Sequence, residues 1–388
     1  LAVFMPFKVQ EIREPGGIFF GENAISHNLI LCNMSNLLNQ SMFLLGIPGS
    51  GKSFFAKLLI IFLALATEDD IIICDPEGEY TPLVQAIGKD ASVIHIAAGG
   101  RDRINAMDMV EGYGDNNPIV DKAQFIMSLV EQIDPNGVGA HHKSIIDRCT
   151  DAVYREQAQT GKVPTLCTLR EKLLEQPEQE AHDLALALEL FTSGSLDVFA
   201  HETNVDTSSR IISYDIHDLG AQLKPAGLLT ITDAMLNRVT TNWKKGKRTH
   251  LFIDEFHVVY ENEYSANFFN SAWRQFRKRN THPCAITQNV EYLLDSVQAS
   301  TMLSNSEFVV MLNQAASDRA KLAELLNIST EQMSYITNAD AGCGLMKYGA
   351  SLVPFVNKFP KNTELYRLIT TKPGEGVMGG AVNGISNN

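Results

Sequence analysis

The stretch Gly46-Ile47-Pro48-Gly49-Ser50-Gly51-Lys52-Ser53 constrains this chain more than any other. It fills every fixed position of the pattern G-x-x-x-x-G-K-[ST] and lies between two apolar runs, 42–45 and 54–66. That setting is a buried strand, a tight turn and a helix. Gly46, Gly49 and Gly51 let the backbone curl so that its N–H groups point at phosphate oxygens, and the helix N-terminus adds its dipole. Lys52, expected on an exposed loop, brings a mobile charge to the β- and γ-phosphates, and the Ser53 hydroxyl offers a ligand to Mg2+. A glycine-rich turn that merely joined strand to helix would need neither group. The stretch therefore predicts a nucleoside triphosphate site built from Gly46, Pro48, Gly49, Ser50, Gly51, Lys52, Ser53 and Phe54.

Composition narrows the setting. A chain of 388 residues has room for two or three units of about 150 residues. A hydrophobic content of 45% with 8% aromatic residues fits an α/β chain with material for a large core. The first residue is Leu1 rather than Met, as expected of a piece of a longer protein, so a leader or anchor ahead of it would be invisible. The most apolar segment, 58–66, falls far short of the roughly 20 residues a bilayer demands. Six scattered cysteines without a C-x-x-C pair argue against zinc and for free thiols in a reducing cytoplasm.

A net charge of −13 counts against nucleic acid as a partner of the whole surface. Two basic clusters stand out, Lys244-Lys245-Gly246-Lys247-Arg248 and Arg274, Arg277, Lys278, Arg279. The first reads as a solvated loop after a helix. His141-His142 have no Cys or acidic partner at ligand spacing and read as surface or packing residues. No G-x-S-x-G motif supports serine hydrolase chemistry.

Taken in order, residues 16–32 read as short strands joined by a turn. The run Ile71-Ile72-Ile73-Cys74 is a parallel strand covered on both faces, and 92–96 another. From 116 to 203 the apolar spacing turns helical, over 120–133, 142–160, 168–175 and 178–191, and no strand is evident. Strands resume at 210–215, and a long helix then leads to Leu251-Phe252-Ile253-Asp254-Glu255. This rhythm predicts an α/β fold with a doubly wound, mostly parallel sheet. Its parts are 1–115, an all-α insertion 116–203, a second sheet part 204–370 and a loose tail 371–388.

An apolar strand ending in Asp-Glu is what the second half of a P-loop site requires. Asp254 would hold the Mg2+ and Glu255 would act as general base on the attacking water. Many strands end in acidic caps, so the pair gains its weight from the complete P-loop. Gln288, at the end of a later strand, could touch the γ-phosphate. Arg274, Arg277 and Arg279 lie on the helix between these strands. Any one alone reads as part of a solvated basic face, but three in an acidic chain call for a partner. That partner is either a nucleic acid or a neighbouring subunit's phosphates, toward which Arg277 or a close neighbour would act in trans.

Beyond the P-loop, Cys74-Asp75-Pro76-Glu77-Gly78-Glu79-Tyr80, Ile104-Asn105-Ala106-Met107-Asp108, Phe191-Thr192-Ser193-Gly194-Ser195-Leu196, Asp254-Glu255 and Thr287-Gln288 complete a pattern. Together they resemble the CagE/TrbE/VirB family, the cytoplasmic ATPases of type IV secretion and conjugation machines. Ala106 departs from it, standing where proline is expected in a turn. The resemblance implies a RecA-like motor domain of the HerA/FtsK group, with ATP and Mg2+ as ligands. It implies homo-oligomers, hexamers in the full-length protein, held at the inner membrane by other secretion components. Three readings stay open: a secretion ATPase, a DNA-pumping coupling protein of the same superfamily, and a nucleotide switch with negligible turnover. The charge disfavours DNA, and Glu255 with Gln288 disfavours the switch.

Overall fold

The computed structural model describes residues 11–375 apart from 116, 133–136, 222 and 373. The tail expected from 371 onward therefore lies, past Glu375, outside the described residues. Among the described residues, one sheet of 11 strands organises the fold. Its strands are Ile18–Asn23 (β1), Leu29–Cys32 (β2), Met42–Leu45 (β3), Asp70–Asp75 (β4), Ala91–His95 (β5), Ile211–Asp215 (β6), Thr249–Ile253 (β7), Thr281–Thr287 (β8), Phe308–Met311 (β9), Cys343–Tyr348 (β10) and Ser351–Val356 (β11). They lie side by side in the order β2-β1-β11-β10-β9-β3-β8-β7-β4-β6-β5.

From β9 to β5 every neighbouring pair is parallel. The remaining pairs, from β9 out to β2, are antiparallel. The central strands β9, β3, β8, β7, β4 and β6 are buried at every position because helices cover both faces. Successive side chains point to opposite faces. Met42 and Leu44 thus join one core and Phe43 and Leu45 the other.

The first core packs under Lys52–Ala66 (α1) and Thr81–Ile87 (α2). The second lies under the helices that follow β5: Pro118–Glu131 (α3), Ala140–Thr160 (α4), Leu166–Leu174 (α5), Gln179–Ala187 (α6) and Glu189–Thr192 (α7). Lys224–Lys244 (α8) and Glu263–Lys278 (α9) complete that layer. Val290–Asp295 (α10), Val297–Ser304 (α11), Ala316–Leu326 (α12), Thr330–Met333 (α13) and Glu364–Ile369 (α14) follow among the described residues.

Among the described residues, no strand interrupts α3 to α7. These helices have no core of their own: α3 packs on α8 and α9, and one apolar cluster runs from Ile72 through Phe125 to Phe191. A buried polar network pins the contact. Lys122 on α3 is fully buried, and its Nζ lies 2.6 Å from Asp233 Oδ2 on α8. Nζ also donates to the carbonyls of Ala106 and Asp108 at 3.2 and 2.9 Å. A buried charge is tolerated only when paired and hydrogen-bonded in this way.

The basic loop after α8 is less free than expected. Lys247 pairs with the buried Asp70, Arg248 approaches Asp69 at 3.8 Å, and Lys244 lies 3.3 Å from Glu111. The carboxylates at the start of β4 attract it, which a charge run alone cannot reveal.

Candidate active site

In a parallel sheet the carboxyl ends of the strands open on one crevice, the usual place for a ligand. Here β8 lies between β3 and β7, so the P-loop after β3 and the acidic pair after β7 flank the Thr287-Gln288 end. A cavity of about 790 Å3 fills the crevice, lined by Pro48, Gly49, Gly51, Lys52, Ser53, Phe54, Asp254, Glu255 and Gln288. Gly46 and Ser50 are buried behind it. Of the residues expected in the site, only Arg277 lies elsewhere.

The loop's shape comes from glycine. Gly49 and Gly51 have φ of 77° and 98°, a region side chains rarely adopt. A Cβ on Gly51 would approach the Gly342 nitrogen at 3.2 Å. The first-turn amides of α1 have no acceptor within the helix, and Lys52, Ser53 and Phe54 line the cavity.

Lys52 is not on an exposed loop. It is the first residue of α1 and only 7% exposed. Its Nζ donates to the Ile47 carbonyl at 3.2 Å and, among the described residues, forms no ion pair. Burial lowers its pKa, while Asp254, Glu255 and Glu79 act to raise it.

Asp254 is held from two sides. Its Oδ1 accepts the Glu255 amide at 2.9 Å, and its Oδ2 accepts the hydroxyl of the fully buried Tyr80 at 3.1 Å. Burial, helped by the charge of Glu255, pushes Asp254 up to about 7. Burial likewise raises Glu255 to about 7, against the pull of Lys52. Glu255 has φ of 50°, unusual for a residue with a side chain, and turns the chain out of β7 into the short helix Phe256–Tyr260. Its Oε2 is buried without a hydrogen-bond donor. His257 Nδ1 lies 3.2 Å away and also shares a hydrogen bond with Thr287 Oγ1 at 2.9 Å. Burial holds His257 down at about 4, which disfavours its charged form.

These features fit a phosphate chain and a divalent cation. Ser53 and Asp254 face one cavity and could hold the cation. Two buried carboxyls near neutrality, with one unpartnered oxygen, favour an added positive charge beside them.

Sequence reasoning gave no role to Glu77, Glu79 and Tyr80. Asp75 accepts the amides of Glu79 and Tyr80 at 3.0 and 2.8 Å, so the Asp-Pro-Glu-Gly-Glu-Tyr string is a turn that delivers Tyr80 to Asp254. Glu79 lines the cavity with its Oε2 buried and unpaired. Glu77 also lines it and pairs with Lys224 at 2.6 Å. The available signal was the string itself, which a P-loop site alone does not need. Tyr80→Phe is expected to lower the unfolding free energy by about 1–3 kcal/mol, the cost of an unsatisfied buried acceptor. It should also raise the Mg2+ concentration needed for half-maximal turnover. Urea unfolding and a Mg2+ titration check both, and unchanged values would remove Tyr80 from the support of Asp254.

Arg277 and Arg274 are exposed on α9 and line a separate cleft of about 1100 Å3 with Lys143 and Trp273. Arg279 does not share that face. It is 6% exposed, donating to Gln275 Oε1 at 2.7 Å and the Gly112 carbonyl at 3.1 Å. It is a helix-end anchor, so the expected trio is a pair.

The family model for the central domain of helicase HerA matches residues 26–339. The chain belongs to that family. Among solved structures this HerA-family chain is similar to VirB4 of Thermoanaerobacter pseudethanolicus, with 23% identity and a TM-score of 0.80 over 90% of this chain and 98% of that one. It is also similar to the bacterial conjugative coupling protein TrwBdeltaN70 in complex with sulphate, at 16% identity and a TM-score of 0.56, over 84% and 88% of the two chains. The plasmid coupling protein TrwB in complex with ADP and Mg2+ matches at 15% identity and 0.54, over 84% and 87%. No curated protein matches the sequence. The expected α/β, RecA-like, mostly parallel fold is the fold shared with these structures. Among the described residues, no helix of this HerA-family chain is long and apolar enough to cross a membrane.

Proposed function

We propose that this chain is an ATP-hydrolysing motor of a type IV secretion or conjugation machine, energising its assembly or the transfer of substrate. The observation that carries the reading is a single cavity walled by Lys52 at the head of α1 and by Asp254 and Glu255 at the end of β7. Lys52 binds the β- and γ-phosphates, Glu255 accepts the proton of the attacking water, and Gln288 contacts the γ-phosphate. Ser53 and Asp254 hold Mg2+, which neutralises charge building on the phosphates when it is bound. The higher TM-score with VirB4 than with the TrwB structures supports the secretion reading over the coupling-protein one.

The chain works in the cytoplasm as a homo-oligomer, a hexamer in the full-length protein, and is held to the inner membrane through other secretion components. Residues 116–203 form its all-α lobe, facing substrate or partner. A steady-state ATPase assay together with a salt-dependent DNA titration tests the proposal. Turnover without steep, salt-sensitive DNA binding is expected. Steep DNA binding would move the assignment to a DNA pump, and negligible turnover to a switch.

Within the oligomer, Arg277 reaches the phosphates of a neighbouring subunit. Its exposure on α9, in a cleft apart from its own cavity, supports this role. Hydrolysis should rise faster than linearly with protein concentration, and Arg277→Ala should lose that rise while keeping its nucleotide affinity. Specific activity that stays flat in both proteins across the range of assembly would sink the role.

A further inference from the structure

The phosphate-handling residues account for one side of the cavity. The other side comes from the end of the chain: the turn at Asp340, Ala341 and Gly342, then Lys358, Phe359 and Tyr366. Two hydrogen bonds fasten this segment to the P-loop and its helix, and a third ties it to itself. The Gly342 amide donates to the Ser50 carbonyl at 3.1 Å, and the Asn357 amide to the Gly342 carbonyl at 2.7 Å. Further along, the buried Lys57 of α1 reaches the Ile369 carbonyl at the end of α14, at 3.4 Å.

Between these ties the segment presents aromatic rings. Tyr366 packs on Phe54 with ring centroids 5.3 Å apart and planes at 49°. Its hydroxyl donates to Glu375 Oε2 at 2.5 Å, which fixes the ring. Phe359, half-buried, lines the same cavity. When the phosphates lie at the head of α1, the nucleoside must leave the loop on the side away from the carboxylates at 254 and 255. A planar base needs a flat apolar surface there, and ring faces supply it.

We propose that Phe359 and Phe54 stack the base of the bound nucleotide and that Tyr366 positions Phe54 for it, so that the segment 357–372 is the nucleoside-binding wall. The proposal rests on the nucleotide reading of this cavity. Stacking favours a purine, whose larger face gains more than a pyrimidine, and is tolerant of which purine is bound.

Titration calorimetry of the full chain with Mg-ATP and, separately, with Mg-tripolyphosphate separates the wall from the phosphate site. The wild type should bind both. Phe359→Ala should weaken ATP by about 10- to 100-fold, the range for losing one stacked base, and leave tripolyphosphate unchanged. Phe359→Tyr, which keeps the ring, should restore ATP affinity, and Tyr366→Ala should weaken ATP selectively. Equal losses for both ligands, or undiminished ATP affinity in Phe359→Ala, would overturn the wall. A wild type that bound neither ligand would overturn the nucleotide reading beneath it, a separate and recognisable failure.

Discussion

Glu255→Gln is expected to lower ATP turnover by about 10²–10⁴-fold, the usual contribution of a general base, while nucleotide still binds. Glutamine keeps the shape of the side chain and removes its ability to take a proton. The structure favours a clean test. Glu255 Oε2 accepts no hydrogen bond that the amide would break, and Asp254 keeps its own two donors, Tyr80 and the Glu255 amide. The fall should therefore appear in the single-turnover rate and not in a nucleotide titration. If the variant failed to bind nucleotide, Glu255 would be a structural residue and its assigned role would be wrong.

Lys52→Ala should bring hydrolysis to background, a loss of at least about 10²–10³-fold, which is what one preorganised donor at developing negative charge contributes. The fold should survive. Lys52 is buried, yet its one hydrogen bond to Ile47 is worth only about 0.5–1.5 kcal/mol net, and burial already disfavours its charge. Thermal unfolding by circular dichroism should shift little beside the loss of rate. A variant with ordinary turnover would remove the P-loop from the chemistry; one that did not fold would make Lys52 part of the core.

What could be read from the sequence follows how far each signal extends along the chain. The run Ile71-Ile72-Ile73-Cys74 is legible because a strand covered on both faces can be apolar at successive positions, and four in a row stand out. The P-loop is legible because glycine, lysine and serine sit within eight consecutive residues. The hydroxyl of Tyr80 on Asp254 joins positions 174 apart, and no local spacing could announce it. The same holds for Lys57 reaching the Ile369 carbonyl over 312 positions, and so for the tie between α1 and the segment that ends in α14. Arg279 misled for a related reason: a helical period gives a direction around the axis, but the Gly112 carbonyl that captures it comes from another part of the chain.

Helix α8 has 21 residues, about 30 Å at 1.5 Å per residue. Its first residue, Lys224, grips Glu77 at the rim of the nucleotide cavity, and its middle holds Lys122 of α3 through Asp233. Further along, Arg238 is clamped to Asp70 at the start of β4. A rod fastened at three points cannot absorb a displacement by swivelling at a joint. One unbroken helix thus joins the rim of the cavity, the helices that follow β5 and the start of β4, with no loop between the three attachments.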